Sequence, residues 1–162
     1  MRPALLALSL TLVATTAAGQ QIKTGAPEHA VIALPNKVVW APAPESLPRG
    51  AQLAVVEGDP SKSVEFTMRL RMPDGYRIPA HFHPFVEHVT VLQGTFRVGM
   101  GDKFEATTLA DLPTGTFAAL APGVRHFAQA SGETIIQLHG TGPWSLTYVN
   151  PADDPRQQKS NR

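Results

Sequence analysis

Residues 75–94 read GYRIPAHFHPFVEHVTVLQG. His81 and His83 stand two apart, so on an extended strand both imidazoles project from the same face. Glu87 follows four residues later, again an even offset, just ahead of the strand-forming run Val89-Thr90-Val91. If the chain bends at Pro84 and pairing then resumes, the carboxylate returns to the face of the two imidazoles. Two imidazoles and one carboxylate on one face make a divalent-metal site with open coordination positions, the donor set of non-haem iron oxygenases.

The surrounding chain reads as a succession of short strands. Over residues 64–72 the apolar Val64, Phe66, Met68, Leu70 and Met72 alternate with Glu65, Thr67, Arg69 and Arg71, the period of a half-buried strand. Pro73-Asp74-Gly75 supplies a turn. Further strands are predicted over 81–83, 87–93, 95–99, 117–120, 126–129, 134–139 and 146–149, most of them separated by Gly, Pro or Asp. No amphipathic helical period runs beyond about two turns. With 15 prolines and 13 glycines in 162 residues, the chain is punctuated like an all-β sandwich or barrel. Met68, Leu70, Phe96 and Phe117 are read as barrel core, and the polar segment after Asn150 as a frayed tail.

Residues 75–94 resemble the first motif of the cupin superfamily: Gly, five residues, His-x-His, three or four residues, Glu, six residues and Gly. Gly75, His81, His83, Glu87 and Gly94 match each fixed position. The second motif has Gly, then Pro-x-Gly, two residues, His, three residues and Asn. Here Gly115 is followed by Ala121-Pro122-Gly123-Val124-Arg125-His126, in which the proline falls one residue late and Ala130 stands at the Asn position. The resemblance spans 75–130, about a third of the chain. It implies an all-β, single-domain double-stranded β-helix, the jelly-roll cupin barrel. It also implies that His81, His83, Glu87 and His126 ligate one metal at the barrel mouth. Three nitrogens and one oxygen suit Fe(II), Mn(II), Ni(II) or Zn(II), and the sequence does not choose among them.

Outside the barrel, Met1-Arg2-Pro3, the apolar run 4–13 and the small residues up to Gly19 have the layout of a secretory signal peptide. That run is shorter than the roughly 20 residues a membrane span needs. Residues 20–50 are expected to form a proline-rich N-terminal arm, with Val38-Val39-Trp40 as an edge strand. The cupin domain is expected over 51–150 and the polar tail over 151–162. After residue 19 the chain holds thirteen acidic and thirteen basic residues and no basic run, so it lacks the electrostatic footprint of a nucleic-acid or anionic-lipid binder. Without cysteine, stability has to come from the core and from a metal rather than from disulfides. The expected location is the periplasm or the medium.

The remaining histidines are weighed individually. His88 is expected to face away from Glu87, at the surface or at a homodimer interface, and His29 to be solvated in the arm. His139 and Gln137 alternate with Ile136 and Leu138. If the polar pair faces inward, His139 becomes the candidate proton shuttle; as a structural histidine it has no such role. Tyr76 and Arg77 are expected at the surface. The leading functional expectation is a metalloenzyme of oxygenase, isomerase or lyase type acting on a small organic substrate. The alternative is a non-catalytic periplasmic module that binds or senses a metal or small ligand. A charged side chain such as Arg97, Arg125 or His139 aimed at the open coordination site favours the first; an apolar barrel around the metal favours the second.

Overall fold

A computed structural model describes residues 31–158. The expected signal peptide and His29 lie outside the described residues. Nine strands are seen: β1 (Ala41–Pro42), β2 (Gln52–Gly58), β3 (Glu65–Met72), β4 (Arg77–Phe82), β5 (Glu87–Met100), β6 (Ala110–Pro113), β7 (Phe117–Leu120), β8 (His126–Thr141) and β9 (Thr147–Tyr148). They pair antiparallel in the order β1-β2-β3-β8-β4-β9, while β5 pairs with β6, β7 and β8. The result is the curled jelly-roll barrel that the motifs implied.

From Phe66 onward the alternating segment behaves as its period predicts, whereas Val64 precedes the strand and is exposed. In β3, Phe66, Met68, Leu70 and Met72 are buried, and the residues between them are half-buried or exposed. β3 lies in register with β8 from Glu65 opposite Thr141 to Met72 opposite Thr134. The inward side chains of β3, β5 and β8, with Ile78 of β4, form the core. Burying each such side chain contributes about 1.5–3 kcal/mol.

The two longest strands correct the reading at the glycines. Residues 87–93 and 95–99 are one strand, β5, and 126–129 and 134–139 are one strand, β8. These strands pair along their lengths, from His88 opposite His139 to Met100 opposite His126, with register shifts around Gln93. The glycines bend the ladder without ending it. At Gly94 φ is +72°, and a Cβ there would lie 2.5 Å from the Glu133 carbonyl oxygen. A glycine is therefore what lets the strand turn the barrel corner. Strands β2 and β6 escaped the period-two reading. The register of β2 shifts between Val55 and Glu57, which breaks its alternation, and β6 is four residues ending in proline.

Other expectations are also revised. Phe117 is 58% exposed and belongs to the outer face rather than the core. Tyr76 is buried rather than superficial, its hydroxyl donating to the Pro48 carbonyl. The edge pairing in the arm falls at Ala41–Pro42, one residue past Trp40, whose ring sits 4.1 Å beneath the Arg71 guanidinium. After Asn150 the chain is ordered into a 3-10 turn, Pro151–Asp153, and a helical turn, Pro155–Gln158. Asn150 caps the first by accepting from Ala152 N–H, and Asp154 pairs with Arg156. Among the described residues no helix is long and apolar enough to cross a membrane.

Candidate metal centre

Each motif residue sits at a strand end facing the barrel interior. His81 lies on β4, directly opposite His126, the first residue of β8. His83 follows one residue beyond β4, and Glu87 opens β5. The Pro122-Gly123 turn joins the two motifs: Gly123, with φ +77°, donates its N–H to the His83 carbonyl at 2.8 Å. At the other end of the pair, Ala130 accepts from Gly75 N–H and donates to Tyr76 O, so a backbone link stands where the family motif has Asn.

All three imidazoles are oriented alike. Nδ1 of His81 contacts Pro79 O at 2.7 Å, that of His83 Ser145 O at 2.7 Å and that of His126 Val124 O at 3.0 Å. A carbonyl can only accept, so Nδ1 carries the hydrogen and Nε2 keeps its lone pair. The rings gather tightly, His81 and His126 at 4.2 Å between centroids, and their ligand atoms fall within 4.8 Å of one another. Glu87 stands to one side, its oxygens 3.5 Å from His83 Nε2 and 3.2 Å from His126 Nε2. Lone pairs on both nitrogens thus face carboxylate oxygens, an arrangement that is repulsive unless something positive lies between them. The buried His83 Nε2 has no hydrogen-bond partner among the described residues. An orphaned nitrogen and an acceptor-only cluster fit a divalent cation.

The electrostatics hold the same donor state. Burial, reinforced by the neighbouring His126 and His83, pushes His81 down to about 3, so it is neutral at ordinary pH. Burial likewise lowers His83, against the opposing pull of Glu87. For Glu87, burial raises the carboxyl, but the polar contact with His126 and the proximity of the His83 and His81 rings outweigh that and hold it below its usual range. Neutral imidazole and ionised carboxylate are the forms that ligate a metal.

The other candidates do not join this cluster. On β8 it is Ile136 and Leu138 that face inward, so His139 points outward and stacks on His88 at 4.7 Å with 7° between planes. Arg97 pairs with Asp111 and Arg125 with Asp102. The Arg77 guanidinium lies over the Phe104 ring. Three contributors escaped the sequence reading: Leu47 of the arm, Trp144, stacked on His83 at 5.3 Å, and the Ser145 carbonyl. A backbone carbonyl 62 residues downstream of its histidine carries no side-chain signal. Beside the histidines lies a cavity of about 20 Å³, roomy enough for about one water molecule. Apart from the four motif residues its walls are apolar, among them Leu70, Phe96, Ile136 and Leu138.

A family model described as a ChrR cupin-like domain matches residues 28–145. Among solved structures, the polyketide cyclase RemF from Streptomyces resistomycificus is similar over 82% of this chain and 94% of its own, at 13% identity and a TM-score of 0.65. An RmlC-like cupin from Shewanella frigidimarina aligns over 71% of this chain and 94% of its own, at 14% identity and a TM-score of 0.53. Salicylate 1,2-dioxygenase from Pseudoaminobacter salicylatoxidans aligns over 64% of this chain and 30% of its own, at 13% identity and a TM-score of 0.51. At these identities the likeness is one of fold. No curated protein matches the chain.

Proposed function

The chain belongs to the ChrR cupin-like domain family of cupins, and from that premise we propose that it holds one divalent transition-metal ion on His81, His83, Glu87 and His126 and presents it to a small, largely apolar organic molecule. The observation that carries the reading is the common orientation of the imidazoles. Three Nδ1 atoms tied to carbonyls aim three Nε2 lone pairs at one place. A bound divalent ion would supply Lewis-acid or redox chemistry at the positions four protein ligands leave open.

The protein's own part in a reaction is to position and to exclude water. The apolar walls select a compact apolar ligand, and burial keeps His81 and His83 neutral while Glu87 stays ionised. Among the described residues no acid or base besides the proposed ligands lines the cavity, so oxygenase, isomerase or lyase chemistry here would depend on the ion rather than on a side-chain proton shuttle. The apolar lining and the small cavity also favour a second reading, a non-catalytic module that captures a metal or a small ligand. The 1–19 segment supports export to the periplasm or the medium.

Elemental analysis of protein purified without added metal tests the site, with one ion per chain expected. A substrate-depletion screen of the loaded protein, with and without dioxygen, separates the readings. Turnover of a small apolar compound supports the enzyme, and saturable binding without turnover supports the capture module. Wild-type protein that takes up no metal at neutral pH overturns both.

A further inference from the structure

We infer that Leu47 is the gate between solvent and the metal site, carried on a strap of the arm that the hydroxyls of Tyr76 and Tyr148 latch shut. This rests on the metal-site reading and assigns the path by which a ligand enters. Outside the barrel, the arm borders a groove of about 890 Å³ lined by residues that include Pro44, Arg49, Pro79 and Pro155. Leu47 is the one side chain shared between the lining of this groove and that of the cavity beside the histidines. It is 3% exposed although it lies on irregular backbone rather than on a strand. The strap is pinned on both sides of it. Tyr148 donates to Ser46 O at 2.8 Å and Tyr76 to Pro48 O at 2.5 Å. Burial raises both phenols, which keeps them protonated donors.

The other walls are poorly placed to move. Leu70, Ile78, Phe96, Ala128, Ile136 and Leu138 sit on β3, β4, β5 and β8, so displacing them means breaking the sheet ladder. Trp144 and Leu146 lie on a loop, but the backbone N–H of Trp144 is held by Pro60 O, and Ser145 O orients His83. Opening that loop would disturb a ligand of the metal. The strap can lift by parting the two tyrosine hydroxyls from their carbonyls and exposing Leu47, leaving ladder and ligands intact. A cavity of about 20 Å³ then becomes continuous with the groove, which gives a compact apolar ligand a route to the histidines from the arm side.

The test is the rate at which excess dipicolinate strips zinc from the loaded full-length protein. Tyr148→Phe and Tyr76→Phe should each keep one zinc per chain and lose it about fivefold faster, the shift expected when a latch loses one hydrogen bond. Leu47→Ala should release it faster still, by about tenfold or more. Val91→Ala, a core change at a residue that lines neither the cavity nor the groove, serves as the control for general loosening and should leave the rate within about twofold. The tyrosine variants keep the buried rings, so they decide the matter even where Leu47→Ala folds poorly. Strap variants that bind one zinc and release it at the wild-type rate overturn the gate and leave the metal site standing. The same holds if Val91→Ala accelerates release as much as they do, or if Trp144→Ala alone accelerates it. Wild-type protein that takes up no zinc overturns the metal-site reading and the gate that rests on it.

Discussion

The barrel carries two groups of histidines on neighbouring strands, and they are built in opposite ways. Inside, His81, His83 and His126 are 3–4% exposed, each with Nδ1 on a backbone carbonyl and Nε2 turned toward a common point beside Glu87. Outside, His88 and His139 face each other across β5 and β8, stacked nearly parallel, with Phe117 beside them at 6.0 Å from His88. His88 Nδ1 has no partner among the described residues, and no carbonyl sets the tautomer of the pair. Proximity of imidazoles does not by itself make a ligand set. Anchored nitrogens and convergent lone pairs do, and the outer pair spends its ring faces on stacking instead.

The contrast breaks most sharply at His83. On the proposed ligand set, His83→Ala should lower metal affinity by more than about a hundredfold, because it removes one of four donors together with its Nδ1 contact to Ser145 O. Inductively coupled plasma analysis after dialysis against a weak chelator reads this; near-stoichiometric metal in the variant would place the site elsewhere.

A smaller effect is expected from Glu87→Gln, which keeps the shape but removes the charge that faces His83 and His126. Affinity should fall by about 10–100-fold. Competition with a fluorescent zinc indicator measures it, and unchanged affinity would assign the carboxylate a purely structural role.

The inner cluster should also make stability depend on pH. His81 is held at about 3 in the fold against the ordinary imidazole value of 6.5, so between those values the unfolded chain binds the extra proton. Stability of the metal-free protein is therefore fully present above about pH 6.5 and declines as pH falls toward about 3. The lowered Glu87 acts in the same sense, its contribution being lost as pH falls through its folded value. Added metal should raise Tm at about pH 8 and still at about pH 5, because burial keeps His81 unprotonated until pH approaches about 3, where protons displace the ion. Differential scanning fluorimetry with a His81→Ala/His83→Ala control checks this, and an equal response to metal in both proteins would make it non-specific.

The smallest effect belongs to the outer pair. His88→Ala and His139→Ala should each cost about 0.5–1 kcal/mol in chemical denaturation, the scale of a cross-strand pair, and leave metal content unchanged. Loss of metal in His139→Ala would return that residue to the site.

Much of this was legible in the residues alone. The spacing His81, His83, Glu87 and the Gly-x-x-His of the second motif, read through the family resemblance, named four donors that fall at the ends of β4, β5 and β8, beside a strand, β3, that alternation alone had marked. Alternation is local, set by the pleat, so it can be read without knowing the partner strand. The outcome for His139 was less accessible, since β8 alternates Ile136 and Leu138 with Gln137 and His139 and only packing shows which set is inward. Continuity of β5 through Gly94 was likewise decided by pairing with β8, which a glycine in sequence reads as ending. What only the tertiary structure decided comes from distant chain: the Ser145 carbonyl that orients His83, the indole of Trp144 against it, and Leu47 held over the cavity by two tyrosines. Side-chain type and spacing determine which atoms can ligate. Which lone pairs converge, and what closes over them, depends on backbone groups brought together by long-range pairing, and these have no signature in the order of residues.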